Sequence, residues 1–355
     1  MGFLSDLHQL GWKPFFQQQV SADGEEIPVR VVEVQRSGLK VLPEVPGYSE
    51  FPLGGRWFQE TPEARPTVGD WILIDPESGS IVQLLERFSV IKRLAPDGEV
   101  QLIAANIDTG FIVTSANADF SLPRVERYLA VLLEAEIQPV VVITKADLAQ
   151  EPEQYADAVH TLDKAIPGLG VPVELVNALD PDTLQGVNGW CAAGQSIAML
   201  GSSGVGKSTL VNSLLGEQAQ ATQAARDADA KGRHTTTHRS LHRLPGGGVV
   251  LDSPGMREFQ ITDAQTGVRE VFDDIDALSQ QCRFNDCQHT NEPGCAVLAA
   301  IESGTLEMRR LQSYFKLQRE ERVNTETIAE RHARVRQFSK QVRAANRDNP
   351  KLRDR

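Results

Sequence analysis

No stretch of this 355-residue chain approaches the ~18 consecutive apolar residues that a membrane-spanning helix needs, so no membrane partner is expected. Its first residues, Met1-Gly2-Phe3-Leu4-Ser5-Asp6, lack the basic segment and long apolar core of a secretory signal. Asp6 also stands where a myristoylation signal needs Ser or Thr. Cysteine is scarce: there are four, three of them within fourteen residues. That crowding argues against the disulfide framework of a secreted protein and for metal ligation. Together these absences predict a cytoplasmic protein. Coiled-coil heptads are missing too, so nothing calls for a dimer and a monomer is expected.

Positive charge is scarce over most of the chain. The formal net charge is −12, which excludes indiscriminate nucleic-acid binding by the whole surface. The charge is segregated, however: residues 306–355 carry +7 and residues 1–305 carry −19. A basic tail on an acidic body predicts a localised contact with a polyanion.

What is present is organised around Gly201-Ser202-Ser203-Gly204-Val205-Gly206-Lys207-Ser208, followed by Thr209. The apolar run Ile197-Ala198-Met199-Leu200 precedes it, and 210–215 has helical apolar spacing. Strand, Gly-rich loop and helix make a P-loop. Its glycines let backbone N–H groups turn onto phosphate oxygens, and the helix N-terminus adds positive potential. Lys207 would reach the β- and γ-phosphates, and the Ser208 hydroxyl would ligate Mg²⁺.

Around this loop the chain predicts several modules. Residues 1–26 read as a mobile polar leader, and 27–96 as short strands with turn signals, an all-β domain. An OB-like barrel is its expected form, against a β-domain that only packs on its neighbour. Residues 97–272 alternate strands and helices, with strands at 107–114, 139–144 and 171–176, which predicts a doubly wound α/β domain. Residues 273–355 form a last module with a basic helical tail.

In a doubly wound sheet, ligands sit at the carboxyl ends of the strands. Thr144-Lys145-Ala146-Asp147 follows one such strand and fits the Asn/Thr-Lys-x-Asp element with which GTPases read guanine. The carboxylate accepts from guanine donors that adenine lacks, and the lysine stem packs along the base. Asn177-Ala178 follows the next strand, at the place of a Ser-Ala pair that meets the guanine O6. Beyond the P-loop helix, Gly232-Arg233-His234-Thr235-Thr236 reads as a switch loop in which Thr236 would close on Mg²⁺ and the γ-phosphate. Asp252-Ser253-Pro254-Gly255 ends another apolar strand. Asp252 would hold Mg²⁺ through water, and the Gly255 N–H would sense the γ-phosphate. Guanine-reading elements precede phosphate-reading ones, the reverse of the usual order, so a circularly permuted GTPase is expected.

Cys282, Cys287, His289 and Cys295 follow with four, one and five residues between them. Three thiolates and one imidazole make a closed tetrahedral set, which predicts one structural Zn²⁺. Cys191, far from this cluster, reads as a buried bystander. The tail carries Arg331, Arg334, Arg336, Lys340, Arg343 and Arg347, a surface able to neutralise phosphates.

With these motifs placed, the chain resembles the RsgA (YjeQ) family of small ribosomal subunit biogenesis GTPases. The resemblance runs through Gly69-Asp70-Trp71, the Thr-Lys-x-Asp element, the P-loop, the 232–236 loop, Asp252 to Gly255, and the four zinc-ligand positions with Glu292-Pro293-Gly294. It departs at Thr144, where Asn is usual, and at Asn177, where Ser is usual. The resemblance implies an OB-fold N-terminal domain, slow GTP hydrolysis stimulated by the small subunit, and a role in the subunit's late maturation. It implies ribosomal RNA as the partner of the barrel and the zinc module. Two other classes stay open: a P-loop NTPase without an RNA partner, and a GTP-sensing RNA-binding module with negligible catalysis.

Many GTPases orient the attacking water with a Gln after Asp-x-x-Gly, but Met256 stands there. Gly204 stands where potassium-dependent GTPases commonly have Asn. Lys207, Mg²⁺ and the loop N–H groups supply the charge term, and His234 is the expected water-positioning residue, aligned when RNA orders its loop. His234→Ala should therefore abolish RNA-stimulated turnover and nearly spare GTP binding. Stimulated turnover that survives the substitution would remove His234 from the mechanism.

Overall fold

The computed structural model describes residues 2–21, 24–35, 38–95, 99–166, 170–216, 239–252 and 262–325. Its first part holds α1 (Gly2–Gln9), α2 (Pro14–Gln17), β1 (Ile27–Val34), β2 (Leu39–Leu42), α3 (Gly55–Gln59), β3 (Trp71–Ile74), β4 (Ile81–Leu84), β5 (Val90–Leu94) and β6 (Val100–Ala105). Next come β7 (Thr109–Ser115), α4 (Leu122–Glu134), β8 (Gln138–Thr144), α5 (Glu153–Ala165), β9 (Val173–Leu175) and α6 (Gln185–Trp190). They are followed by β10 (Ser196–Leu200), α7 (Lys207–Leu215), β11 (Ser240–Arg243) and β12 (Val249–Asp252). The chain continues through α8 (Gln265–Val271), α9 (Asp273–Ser279) and α10 (Ala296–Glu302), and α11 covers 308–325.

The continuous apolar runs become parallel strands, because a strand covered on both faces must be apolar on both. β7 and β10 are buried along their whole length, and β8 from its second residue. The parallel order is β12-β10-β7-β8-β9, with β11 antiparallel on β12. Leu200 pairs with Ile112, and Ser115 with Thr144, so the ends of β7, β8 and β10 fall on one edge. Helix α4 buries Val125, Leu129 and Leu132 against this sheet, the apolar face that its spacing predicts.

The first module departs from expectation in three ways. Residues 2–21, expected to belong to a mobile leader, instead dock: Leu7, Leu10 and Phe16 are buried. The stretch is as apolar as the chain at large, not polar, and Phe16 and Trp12 pack against Trp71. The strand module is a four-stranded antiparallel sheet, with β1 between β2 and β3 and β4 on β3. Among the described residues its pairing does not close into a ring. It is joined to the central, mostly parallel sheet instead, where Glu33 of β1 pairs with Ser240 of β11. The third departure is the β5–β6 hairpin, a separate two-stranded sheet that runs across the expected boundary between residues 96 and 97.

One buried side chain locks these parts together. Arg30, fully buried on β1, donates from Nη1 to the Leu10 carbonyl and to Ser196 Oγ at 2.7 Å. Its Nη2 donates to the Asn106 carbonyl at 2.8 Å, and its Nε to the Gly69 carbonyl at 3.2 Å. The leader, the β-module and the first residue of β10 thus share one cation. Burial pulls its pKa down to about 10, with Asp108 and Asp70 acting in the opposite sense, so it stays charged at neutral pH. Arg30→Met keeps the length and removes every donor, leaving buried acceptors unpaired. The expected loss is about 3 kcal/mol or more of unfolding free energy, measured by urea denaturation. A loss below about 1 kcal/mol would deny Arg30 this role.

Candidate functional site

The sheet edge collects the sequence-predicted residues from three strand ends. β10 runs into Gly201, where a Cβ would lie 2.3 Å from the Val113 carbonyl oxygen; only glycine lets the loop pass β7 so closely. Gly206 has φ 99°, a left-handed turn that starts α7 and faces Thr144. Lys207 Nζ lies over the loop and donates to the carbonyls of Gly201 at 2.6 Å and Ser202 at 2.5 Å. Ser208 is exposed in the first turn of α7.

Thr144 is buried and serves the phosphate loop as well as the base side. Its hydroxyl shares one proton between the Val205 carbonyl at 2.5 Å and the Thr114 carbonyl at 3.0 Å. The sequence suggests Thr144 only as a base contact in place of Asn; here its side chain ties the end of β8 to the P-loop. Lys145 takes a left-handed φ of 58°, which turns the chain sharply out of β8. Its ammonium reaches the Gly204 carbonyl at 2.8 Å, so its stem crosses between base side and phosphate side. Ala146 and Asp147 fall in a short 3₁₀ turn, with Asp147 exposed and open to a ligand.

After β9, Asn177 uses its own side chain to shape its loop, Oδ1 accepting from the Leu179 N–H at 3.0 Å. The Thr183 hydroxyl donates to the Asn177 carbonyl at 2.8 Å. Ser213 of α7 donates to the Ala178 carbonyl at 2.5 Å, fixing this loop against the P-loop helix. The structure therefore brings together Thr144–Asp147, Asn177–Ala178 and Gly201–Thr209. The Asp252 backbone ends β12 on the same edge. His234, Thr236 and Gly255 lie outside the described residues, as does the basic stretch from Arg331 to Arg347.

Sequence reasoning missed Arg124 of α4. Its Nη1 donates to Ser202 Oγ in the P-loop at 2.8 Å. Tyr128, one turn on, also hydrogen-bonds Ser202, while burial raises its pKa. A lone arginine in an amphipathic helix carries no motif, so no sequence signal could have found it.

The four predicted metal ligands meet. Their donor atoms all lie within 4.8 Å of one another. Cys282 Sγ is 3.9 Å from Cys295 Sγ and 3.6 Å from His289 Nδ1, which is 3.4 Å from Cys295 Sγ. A tetrahedral Zn²⁺ with ordinary bond lengths has edges of about 3.8 Å between sulfurs and about 3.5 Å from sulfur to nitrogen. The donor set fits such an ion, and all three cysteines are free thiols. Glu292 builds the ligand loop: its carboxylate accepts from the N–H groups of Gln288, Thr290 and Asn291 at 2.9, 2.9 and 3.1 Å. Those bonds hold its pKa down at about 2. Gly294 follows at φ 79°, which gives Glu292-Pro293-Gly294 a physical meaning.

A family model described as RsgA GTPase matches residues 84–262. A model of the ABC transporter matches 184–352; that range contains the P-loop, which nucleotide hydrolases of several classes share, but not β8. The chain is 49% identical over 352 residues to small ribosomal subunit biogenesis GTPase RsgA 2 of Vibrio vulnificus, covering 98% of this chain and 97% of that protein. It is 44% identical over 327 residues to small ribosomal subunit biogenesis GTPase RsgA of Mesorhizobium japonicum, covering 90% and 91%. The crystal structure of YjeQ from Thermotoga maritima is similar with a TM-score of 0.57 at 25% identity, over 82% of this chain and 97% of that one. YloQ, described as a circularly permuted GTPase, shares the fold with a TM-score of 0.55 at 24% identity, over 85% and 96%.

Thr144→Val would remove the hydroxyl that spans β8 and the P-loop and leave two carbonyls short of a donor. Its expected effect is a roughly tenfold rise in Kd for GTP and GDP alike, read by nucleotide titration. An unchanged Kd would show that the loop needs no such tie.

Proposed function

Because the chain belongs to the RsgA GTPase family and is a GTP hydrolase, we propose that it binds the small ribosomal subunit and acts in its late maturation, turning GTP into GDP and phosphate at a rate the subunit stimulates. The observation that carries this reading is the meeting of Thr144–Asp147 with the P-loop on one sheet edge, in permuted chain order. Relatives over nearly the whole length are named for small-subunit biogenesis.

In this reading Asp147 selects guanine, Lys145 covers the base, and the Ala178 N–H meets the guanine O6. The N–H groups of Ser202 through Thr209 and the Lys207 ammonium hold the phosphates. Ser208, whose exposed hydroxyl is bonded to no described residue, would hold Mg²⁺ together with Thr236 and Asp252. Mg²⁺, when bound, neutralises charge on the β- and γ-phosphates. His234 would orient the water. The Cys₃His set would hold one structural Zn²⁺, which fixes the 282–295 loop and takes no part in the chemistry. Residues 27–96, expected as an OB-like barrel and carrying the open four-stranded sheet among the described residues, and the zinc module within 273–355 would contact ribosomal RNA on either side of the permuted GTPase domain, 97–272. We infer a cytoplasmic monomer from the family reading; separately, no described helix is long and apolar enough to cross a membrane.

The test is turnover of GTP and of ATP by the full chain, with and without purified small subunits. GTP-selective turnover that rises steeply with small subunits is expected. Tight GTP binding with no stimulation would overturn the catalytic part and leave a GTP-sensing module.

A further inference from the structure

The β5–β6 hairpin lies where two functionally loaded segments emerge. Arg239 is the first described residue after 217–238, the stretch that carries His234 and Thr236. Asp263 comes just after 253–261, the stretch that follows Asp252. Both residues are fastened to the hairpin: Arg239 Nη1 donates to the Leu102 carbonyl of β6 at 2.8 Å, and Asp263 pairs with Lys92 of β5 at 2.9 Å.

The charges on this hairpin are unevenly compensated. Lys92 has its carboxylate in Asp263. Its neighbour Arg93 donates from Nε and Nη2 to a neutral acceptor, Gln101 Oε1, at 3.1 and 3.0 Å. Arg239 likewise bonds a neutral acceptor among the described residues, the Leu102 carbonyl. Among the described residues neither guanidinium meets a carboxylate, although the chain as a whole is acidic. Their anchors are neighbouring residues of β6, Gln101 for Arg93 and Leu102 for Arg239, and burial, with the Arg93 charge acting in the same sense, pulls the Arg239 pKa down to about 10. Both side chains are partly exposed, and each keeps N–H groups with no described acceptor. Two guanidiniums held beside each other on neutral anchors form a site for an oxyanion, since planar forks match phosphate oxygens in pairs.

We propose that Arg93 and Arg239 form a phosphate-binding subsite for the RNA backbone of the small subunit. The proposal rests on the small-subunit reading above. A backbone phosphate bridging the two arginines relieves their repulsion and fixes the chain directly after the 217–238 stretch to the hairpin. Only four residues, 235–238, separate Arg239 from His234 in the chain, so RNA docking at Arg239 acts on the end of that segment.

The experiment uses the full chain, small subunits and a non-hydrolysable GTP analogue, with affinity measured across a salt series. Arg93→Gln and Arg239→Gln should each weaken binding and lower the slope of log K against log salt by about one unit. Subunit-stimulated turnover should fall with them, while turnover without subunits stays at the unmodified level. Gln101→Glu keeps both arginines and supplies an internal carboxylate, so it should reproduce the loss without removing a structural side chain. Arg239→Lys keeps the charge and should keep most of the slope. Unchanged affinity and slope in both Arg→Gln variants and in Gln101→Glu would overturn the subsite. If inorganic phosphate stabilises the unmodified protein against heat but not these variants, while subunit binding is the same in all, the ligand is free phosphate and the RNA assignment falls. If the unmodified protein does not bind small subunits at all, the functional reading fails separately. Poly(U) then serves as the probe: the same loss of slope in the variants upholds the subsite, and identical slopes overturn it.

Discussion

A single buried guanidinium sets the architecture. Arg30 reaches into the junction of leader, β-module and GTPase sheet and satisfies acceptors from each. Leucine in that place would bury well but leave those acceptors orphaned, and each orphan costs on the order of 1–3 kcal/mol. The cation also lies 5.7 Å from the Trp71 ring, so the wall that receives it is aromatic on one side and carbonyl on the other. Gly69-Asp70-Trp71 makes that wall. Gly69, at φ 92°, offers its carbonyl, and Trp71 offers its face. The buried Asp70 carboxylate fixes the turn through two bonds from Arg87 and one from the Thr67 N–H, each 2.7 Å. A buried network of this kind is costly to assemble unless every partner is in place, so it specifies how the β-module docks more than how tightly.

On the other side of the nucleotide site, α4 plays the corresponding part. Its N-terminal turn touches the P-loop through Arg124. Two residues on, the buried Glu126 carboxylate accepts from Arg309 at 2.9 Å and Arg310 at 3.2 Å, both on α11. Arg127 then makes a two-bond pair with Glu320, 2.6 Å each. Arg310 is itself held by Asp274 at 2.7 Å through two bonds, and lies 4.8 Å from the Phe272 ring. Helical spacing places P-loop contact and α11 contact within one turn of α4. A movement of α11 is then a movement of buried charges against α4, which low-dielectric pairs resist strongly.

The parts of this molecule that were legible in the sequence are those where one physical requirement leaves few residue choices. A strand buried on both faces must be apolar, so 139–144 and 197–200 announce themselves. A loop that passes β7 at Gly201 and turns left-handed at Gly206 must be glycine there, and a tetrahedral metal set must come as clustered thiolates and imidazole. The leader was illegible because Gly11 and Pro14 split it into two short helical stretches, so its apolar residues, Leu7, Leu10 and Phe16 among them, show no long apolar period. The β5–β6 hairpin was hidden for a similar reason, since Lys92, Arg93 and Gln101 interrupt its apolar alternation. Thr144 shows a subtler limit. As a letter in a guanine-reading motif it looks like a weakened Asn, whereas its small hydroxyl fits between β8 and the P-loop. Arg124 and Arg30 are invisible for a plainer reason: what matters is what they reach, and that lies 78 and 166 residues away in the chain.

The permuted order has a mechanical consequence that an ordinary chain order would not give. β7 and β8, which lead to the base-reading element, follow directly from the β5–β6 hairpin, so that half of the site is tethered to the N-terminal module. β12, which ends at Asp252, leads onward to α8, α9 and the Cys₃His loop, so the phosphate-sensing half is tethered to the C-terminal module. The P-loop lies between the halves, held from one by Thr144 and Lys145 and from α4 by Arg124. A partner that contacts only one module can displace only one half relative to the P-loop. A partner that grips both fixes the two halves against each other across the nucleotide, and a large rigid surface such as a ribosomal subunit is suited to do so. On the proposed reading, the small subunit would stimulate turnover by fixing these two halves against each other across the P-loop.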